Sequence, residues 1–327
     1  MIVLKPTICH KENGQISFTL PRETSSLPPL AATIGVFDGV HLGHRSLLNT
    51  LKKHAYQKDL YSAVITFATL PIEVLEPEVK CGILTTLPEK LYLLQQSSID
   101  YVIVIPFNSE VAHITAEVFL QDILQKVFNV HTLFIGYDHR FGYNRNASFE
   151  DYLRFGQTIG MEIRQASPLR NHPSGHTPSS TRIRTLIQEG RTDKANSLLG
   201  YNYLLSGTVE GGFKIGRTIG YPTANIRLST PRKLLPPAGV YAVRTLLDKE
   251  WYPSMMYFGN RPTLQVGLPP SLEVNLLDFQ GDLYGSEVMI ELCSFVRGEM
   301  KFDNIEILKK QIAQDERVVR DFFARKN

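Results

Sequence analysis

Two hydrophobic rhythms divide this chain, and each predicts its own kind of core. In the first half, short runs rich in β-branched and apolar residues (31–37, 62–67, 101–107, 131–137 and 161–166) alternate with amphipathic stretches. Leu47, Leu48, Leu51 and Ala55 recur at helical spacing, as do Val118, Phe119, Ile123 and Val127. Such alternation predicts βαβ units, hence a Rossmann-like α/β domain built on a parallel sheet with helices on both faces. Ligands of such sheets bind beyond the carboxyl ends of the strands. From about residue 203 to 295 the rhythm changes to strand-like runs, 239–247 and 273–279 among them, punctuated by Gly211-Gly212, Pro236-Pro237 and Pro269-Pro270. That pattern predicts an antiparallel β-barrel or sandwich. A helix should close the chain. Asp303 with Glu306 three residues on has the form of a capping box, and Ile305, Leu308, Ile312, Val319 and Phe322 make a stripe to pack on the barrel.

A length of 327 residues fits two domains at roughly 150 residues each. The joint is expected between 185 and 203, after a polar loop at 171–179 and where Gly190 and Gly200 end short helical stretches. A boundary near residue 186 gives domains 1–185 and 186–327. With 43% hydrophobic and 20% charged residues the chain is globular rather than disordered. Lys and Arg (35) nearly cancel Asp and Glu (32), leaving +3, so no basic coat invites nucleic acid and no membrane partner is expected. Cys9, Cys81 and Cys293 are scattered, with no CxxC, which supports neither a disulfide framework nor a cysteine zinc site. The longest apolar run, 101–107, falls far short of the roughly 18–20 residues that span a bilayer. The apolar start is too short for a signal peptide, so a soluble, reduced, cytoplasmic protein is expected. The oligomeric state is not set by these features.

The densest chemistry of the first half is Gly35-Val36-Phe37-Asp38-Gly39-Val40-His41-Leu42-Gly43-His44. It begins at the end of an expected strand and opens into an expected helix. Glycines let the backbone turn sharply and approach a ligand, and a helix start offers unpaired N–H groups to phosphate. His41 and His44, three apart, can both face one phosphate and offset charge as a nucleotidyl group passes between oxygens. Histidines in a glycine-rich turn can also be ordinary polar loop residues; the strand–turn–helix setting favours the phosphate reading. A metal site is the weaker alternative, since no third ligand sits at helical spacing nearby.

This segment resembles the HxGH signature of the nucleotidylyltransferases, in the form found in the bacterial riboflavin kinase/FMN adenylyltransferase (FAD synthetase) family. Leu84-Thr85-Thr86-Leu87, Gly136-Tyr137-Asp138-His139-Arg140-Phe141-Gly142 and Ser179-Ser180-Thr181-Arg182-Ile183-Arg184 extend the resemblance. It implies that Gly35, Phe37, Asp38, Gly39, His41 and His44 line an ATP site in which the two histidines are catalytic. It further implies that Asp138 helps hold the nucleotide and that Ser180, Thr181 and Arg184 receive phosphates. An N-cap is the plain alternative for the serines, and a turn residue for Asp138. One departure stands at Thr66-Phe67-Ala68-Thr69-Leu70-Pro71, where the family usually carries a Pro-His-Pro-like segment beside the flavin.

In the second half, a glycine loop carrying Lys214, Gly216 and Arg217 leads into Gly220-Tyr221-Pro222-Thr223-Ala224-Asn225. No Gly-Lys-Ser/Thr closes it, so it is not a Walker P-loop. The Thr223 hydroxyl and Asn225 carbonyl are hard oxygens suited to Mg²⁺, although such segments are commonly turns. The stretch resembles the riboflavin kinase signature, which implies that Lys214, Gly216, Arg217, Thr223 and Asn225 bind ATP and that Thr223 and Asn225 also bind Mg²⁺. Glu273-Val274-Asn275-Leu276-Leu277-Asp278-Phe279 continues the match, with Asn275 where the family commonly has His. The resemblance makes Glu273 the base that takes a proton from the riboflavin hydroxyl, a role a carboxylate beside Mg-ATP can fill. It sets Arg297 and Glu299 close to the flavin; the bland alternatives are a solvated strand glutamate and a surface ion pair.

The match runs from about Thr33 onward in the family's order and implies a bifunctional enzyme. Its C-terminal domain would phosphorylate riboflavin to FMN, and its N-terminal domain would adenylylate FMN to FAD with release of pyrophosphate. Riboflavin, FMN and ATP are then its small-molecule partners. Three rivals are another HxGH nucleotidylyltransferase, an aminoacyl-tRNA synthetase, and a non-catalytic flavin sensor. The Pro-Thr-Ala-Asn segment, the missing Lys-Met-Ser-Lys-Ser-type loop and the retained His41, His44 and Glu273 argue against them in turn.

Overall fold

A computed structural model of the chain describes residues 1–12, 14–24, 26–78, 82–137, 140–143, 146–169, 177–211, 220–259 and 271–325. These form two compact units: Met1–Cys81 with Lys90–Pro178, and Gly82–Glu89 with Ser179–Asn327.

The first unit is built on a six-stranded sheet. Its strands are β1 (Ile2–Leu4), β4 (Leu30–Ile34), β5 (Tyr61–Phe67), β6 (Tyr101–Ile105), β7 (Val130–Ile135) and β8 (Glu162–Gln165), with β2 (Thr7–His10) and β3 (Ile16–Thr19) forming a separate hairpin. The order is β1-β6-β5-β4-β7-β8, and every neighbouring pair is parallel. All five residues of β4 are buried, as expected of a strand covered on both faces. The chain steps to one side of β4 for β5 and β6, then to the other for β7 and β8. The carboxyl end of β4 is therefore the topological switch point, where such sheets open a crevice.

The helix Leu42–Gln57 follows β4 directly and buries Leu48, Leu51, His54 and Ala55. The stretch around Val118 is less regular than its spacing suggests. It starts as a short α-helix, Ala116–Val118, and widens into a π-helix over Phe119–Gln125, where Phe128 N–H reaches back five residues to the Ile123 carbonyl. The wider turn buries Phe119, Leu120, Ile123 and Leu124 together.

The second unit opens with helices Ser180–Gln188 and Thr192–Leu199, followed by Gly190 and Gly200 in the left-handed conformation (φ 73° and 77°). Six antiparallel strands then close a barrel rather than a sandwich: β9 (Tyr203–Glu210), β10 (Ala224–Leu228), β11 (Gly239–Leu247), β12 (Glu250–Gly259), β13 (Ser271–Leu276) and β14 (Glu287–Gly298), in the order β10-β13-β12-β11-β14-β9. Val288, Ile290 and Leu292 alternate into its core between the outward Glu287, Met289 and Glu291.

The closing helix, Ile305–Ala324, packs on the barrel through Val319 and Phe322 against Ala242, Leu277 and Met255. Its cap is Asn304, not the expected Asp303: Asn304 Oδ1 accepts the Ile307 N–H at 3.0 Å. A start one residue later leaves Ile305 exposed, so the stripe begins at Leu308. Residues 82–89 join this unit although they come from the first half of the chain. Ile83 bridges to Lys233, Leu84 is buried in the barrel unit's core, and Glu89 forms a buried ion pair with Lys233.

Candidate active sites

The segment after β4 is held by the sheet and by its own packing. Gly35 N–H continues the ladder to the Ile65 carbonyl at 3.0 Å, and the Thr66 hydroxyl on β5 donates to the Val36 carbonyl at 3.2 Å. The chain then turns through three residues of positive φ: Phe37 at 51°, Gly39 at 84° and Val40 at 34°. A β-branched residue in that region is a strained exception, and such strain concentrates at functional sites. Phe37, Asp38, Val40 and His41 are buried.

His41 caps the helix Leu42–Gln57, its Nδ1 accepting the His44 N–H at 3.4 Å. An accepting Nδ1 leaves the ring proton of neutral His41 on Nε2. The two imidazoles stack, 3.7 Å between centroids and 17° between planes, and Phe37 lies 5.0 Å from the His44 ring. Gly43 leaves room for this stack: a Cβ there would stand 3.1 Å from two atoms of the His41 ring, so the ring would have to give by a few tenths of an ångström. Phe37, Asp38, Gly39, His41 and His44 thus come together at the switch point of the sheet. Lys90, buried beside β5 and influenced by Asp38, was not found by motif reasoning, since a lone lysine in an amphipathic helix carries no signal. Its own burial, partly offset by the Asp38 charge, pushes its ammonium down to about 8.

Ser180, Thr181 and Arg184 belong to the second unit. Ser179 is an N-cap, its hydroxyl accepting the Arg182 N–H at 3.3 Å at the head of the helix Ser180–Gln188. Arg184 Nε donates to the Gly82 carbonyl at 2.9 Å. Asp138 lies outside the described residues, as do Lys214, Gly216 and Arg217.

On the barrel, strand register assembles the rest. Asn225 on β10 and Tyr257 on β12 flank Glu273 on β13 in one cross-strand row. Leu272, Val274 and Leu276 fill the core, so Glu273 and Asn275 alternate onto the other face. The Thr223 hydroxyl donates to Glu273 Oε2 at 3.0 Å, and the Ser271 hydroxyl to Glu273 Oε1 at 3.2 Å. Asn275 Nδ2 donates to the Pro222 carbonyl at 2.7 Å, which holds the segment carrying Thr223. Tyr257 donates to Glu299 Oε1 at 2.7 Å; burial first, then Glu299 and Glu273, push the phenol well above its ordinary range. Arg297 does not stand free on the surface. It grips buried Asp315 of the closing helix through Nε (2.9 and 3.0 Å) and an Nη (2.8 Å). Tyr257 and Asp315 escaped sequence reasoning because their partners Glu299 and Arg297 lie 42 and 18 residues away, and Ser271 because a strand serine carries no signal of its own.

Among the described residues no group of three or more His, Cys, Asp or Glu side chains is arranged to hold a metal. The Thr223 hydroxyl nevertheless bonds the Glu273 carboxylate, and Asn225 is the cross-strand partner of Glu273, so hydroxyl, amide and carboxylate groups adjoin. That donor set fits Mg²⁺ delivered with phosphates, which supply most of its ligands.

A parallel sheet that ends in a paired-histidine turn, and a barrel that presents a threonine-bound glutamate, give one chain two candidate sites, each of its own kind. Comparison with known proteins defines which kind. Residues 23–182 match the FAD synthetase family and residues 199–323 the riboflavin kinase family. A bifunctional riboflavin kinase/FMN adenylyltransferase of Escherichia coli K12 is 38% identical over 292 residues, spanning 89% of this chain and 92% of that protein. A Bacillus subtilis protein of the same name is 35% identical over 302 residues, spanning 89% and 92%. The chain belongs to the bifunctional riboflavin kinase/FMN adenylyltransferase family, its FAD synthetase part first and its riboflavin kinase part second. A crystal structure described as a macrolide-efflux protein from Streptococcus pneumoniae shares the architecture, with a TM-score of 0.78 and 32% identity over 91% of this chain and 95% of that one. Among the described residues here, no helix is long and apolar enough to cross a membrane.

Proposed function

We propose that residues 1–185 adenylylate FMN and residues 186–327 phosphorylate riboflavin, each with its own ATP. The observation that carries this reading is the presence of one constellation in each unit: the stacked His41–His44 pair at the end of β4, and the Thr223–Glu273 hydrogen bond on the barrel.

In adenylyl transfer a phosphate oxygen of FMN attacks the α-phosphorus of ATP and pyrophosphate leaves. Gly35, Phe37, Asp38 and Gly39 shape the turn that receives the nucleotide. His41 and His44 offer ring N–H groups to the charge that develops on the phosphoryl oxygens. Ser180, Thr181 and Arg184 are assigned to the ATP phosphates on the family pattern, as hydroxyls and a cation of a kind suited to phosphate. The FAD synthetase match extends through Arg182, which supports counting Ser180 and Thr181 with this activity. Asp138 is assigned to the nucleotide on the family pattern alone.

In the kinase reaction Glu273 takes the proton from the riboflavin hydroxyl as its oxygen attacks the γ-phosphorus of ATP. The Thr223 hydroxyl orients the carboxylate, and Asn275 holds the Pro222 carbonyl just before it. Thr223 and Asn225 are the residues that would hold Mg²⁺, which when bound neutralises charge on the transferring phosphoryl group. Lys214, Gly216 and Arg217 are assigned to the ATP phosphates, and Arg297 and Glu299 to the flavin side. ATP as the common co-substrate fits a cytoplasmic enzyme, and the near-balanced charge fits one without a nucleic-acid or membrane partner.

The test is turnover. Purified chain given riboflavin, ATP and Mg²⁺ should yield FMN and then FAD by chromatography, and FMN with ATP should yield FAD and pyrophosphate. Absence of both products would sink the reading.

A further inference from the structure

Lys90 is a cation in a place where packing alone does not call for one. It sits in the helix Leu87–Gln96 with only 4% of its surface exposed. Its ammonium donates to two neutral oxygens at the carboxyl end of β5, the Thr66 hydroxyl at 3.3 Å and the Phe67 carbonyl at 3.4 Å. Burying a charge is costly, and an apolar side chain of similar length would fill the same volume more cheaply. Two connections run from this ammonium into the histidine turn. Thr66, which accepts from Lys90, donates its own proton to the Val36 carbonyl, the last residue before the strained positions Phe37, Gly39 and Val40. The second connection is electrostatic, because the charge of buried Asp38 acts on Lys90. Phe37, which follows Val36, stands with its ring 5.0 Å from that of His44.

We propose that Lys90 is a positioning residue for adenylyl transfer: through Thr66 it fixes the carbonyl at which the histidine turn leaves the sheet. The inference rests on the reading of the first unit as the adenylyltransferase.

The test compares Lys90→Met, Lys90→Arg and Thr66→Val in the full-length chain. FMN-to-FAD conversion, riboflavin-to-FMN conversion and the thermal midpoint are each measured. Lys90→Met should lower the rate of FAD formation at saturating FMN and ATP about tenfold or more. Riboflavin phosphorylation should stay at the wild-type rate, and the midpoint should hold or rise. Lys90→Arg should recover part of the loss, and Thr66→Val should lose rate in the same direction. Wild-type FAD formation by Lys90→Met overturns the inference. So does a Lys90→Met chain that loses both activities along with its fold while Thr66→Val keeps the wild-type rate. If instead Lys90→Met misfolds and Thr66→Val slows FAD formation alone, the inference stands. A wild-type chain that makes FMN but no FAD removes the underlying adenylyl-transfer reading, an outcome distinct from an unimpaired variant.

Discussion

The hydroxyl of Thr223 donates to Oε2 of Glu273 at 3.0 Å, joining a residue just ahead of β10 to one on the neighbouring β13, 50 positions later in the chain. The bond fixes one carboxylate oxygen, and Ser271 binds the other. A base with both oxygens oriented is set to accept a proton along a defined direction. Glu273→Gln keeps the shape and removes the basic oxygen. It should cut FMN formation from riboflavin by about a hundredfold or more and leave FMN adenylylation near wild type. His44→Ala should do the reverse. Separate assays of each step check this, and parallel loss of both activities in either variant would contradict two independent sites.

Gly43 offers a sharper test of the histidine pair. An alanine there would place its Cβ 3.1 Å from the His41 ring, so the ring must yield by a few tenths of an ångström. Inside a helix, alanine is favoured over glycine by about 1 kcal/mol. The two effects act on different observables. Gly43→Ala should hold or raise the thermal midpoint of the first unit while lowering adenylyl transfer about tenfold, since small misplacements of reacting groups are costly. A variant equally active and equally stable would show that the stack tolerates displacement.

What could be read from the sequence followed from local pattern. The strands β4 to β8 and the barrel strand β11 were visible because each overlaps a short run rich in β-branched and apolar residues. The histidine turn was visible because strand, glycines and helix adjoin in sequence. Asn304 was misassigned to Asp303 because both neighbours can cap, and only the bond to Ile307 decides between them. The π-helix at Phe119–Gln125 has the same apolar spacing as an α-helix, so periodicity could not distinguish them. That residues 82–89 belong to the second unit was not legible for a different reason. Their partners Lys233 and Ser206 lie more than 100 residues away, and no periodic signal links them.

Asn275 stands where the family commonly has histidine, and its amide grips the Pro222 carbonyl at 2.7 Å. Alanine at this buried site would leave that carbonyl without its donor and Thr223 less firmly held. Asn275→Ala should therefore raise the KM for Mg-ATP in riboflavin phosphorylation more than it lowers kcat, while adenylyl transfer is unaffected. Asn275→His restores a ring N–H donor and should recover much of the loss. Steady-state kinetics of the kinase step distinguish positioning from a stability defect, which would reduce the active fraction and leave KM unchanged.

Glu89 and Lys233 form an ion pair whose side chains are both 0% exposed, 2.6 Å apart. Lys233 also donates to the Leu84 carbonyl and stands 4.4 Å from the Tyr203 ring centroid, while Glu89 Oε2 accepts the Thr86 N–H at 2.8 Å. Removing one charge strands the other in the core. Lys233→Met should destabilise the second unit by about 3–5 kcal/mol, whereas replacing the pair with apolar residues of similar volume should cost far less. Urea unfolding of the single and double variants measures the difference, and additive costs would show that the pair is not coupled.

Lys90 gives the chain a signature in alkaline solution. Burial lowers its ammonium to about 8 from an ordinary 10.5, with Asp38 opposing part of that shift. Below pH 8 the lysine is protonated in the folded and unfolded chain alike, and the burial penalty is fully present. Between 8 and 10.5 the unfolded chain holds the extra proton, so this group's contribution to stability rises with pH. Two and a half units correspond to roughly 3 kcal/mol at most. Lys90→Met carries no such proton. The stability of wild type relative to Lys90→Met should therefore climb across that window, and denaturant unfolding of both proteins from pH 7 to 10.5 reads it directly. A difference that stays constant with pH would mean that Lys90 titrates as an ordinary surface lysine.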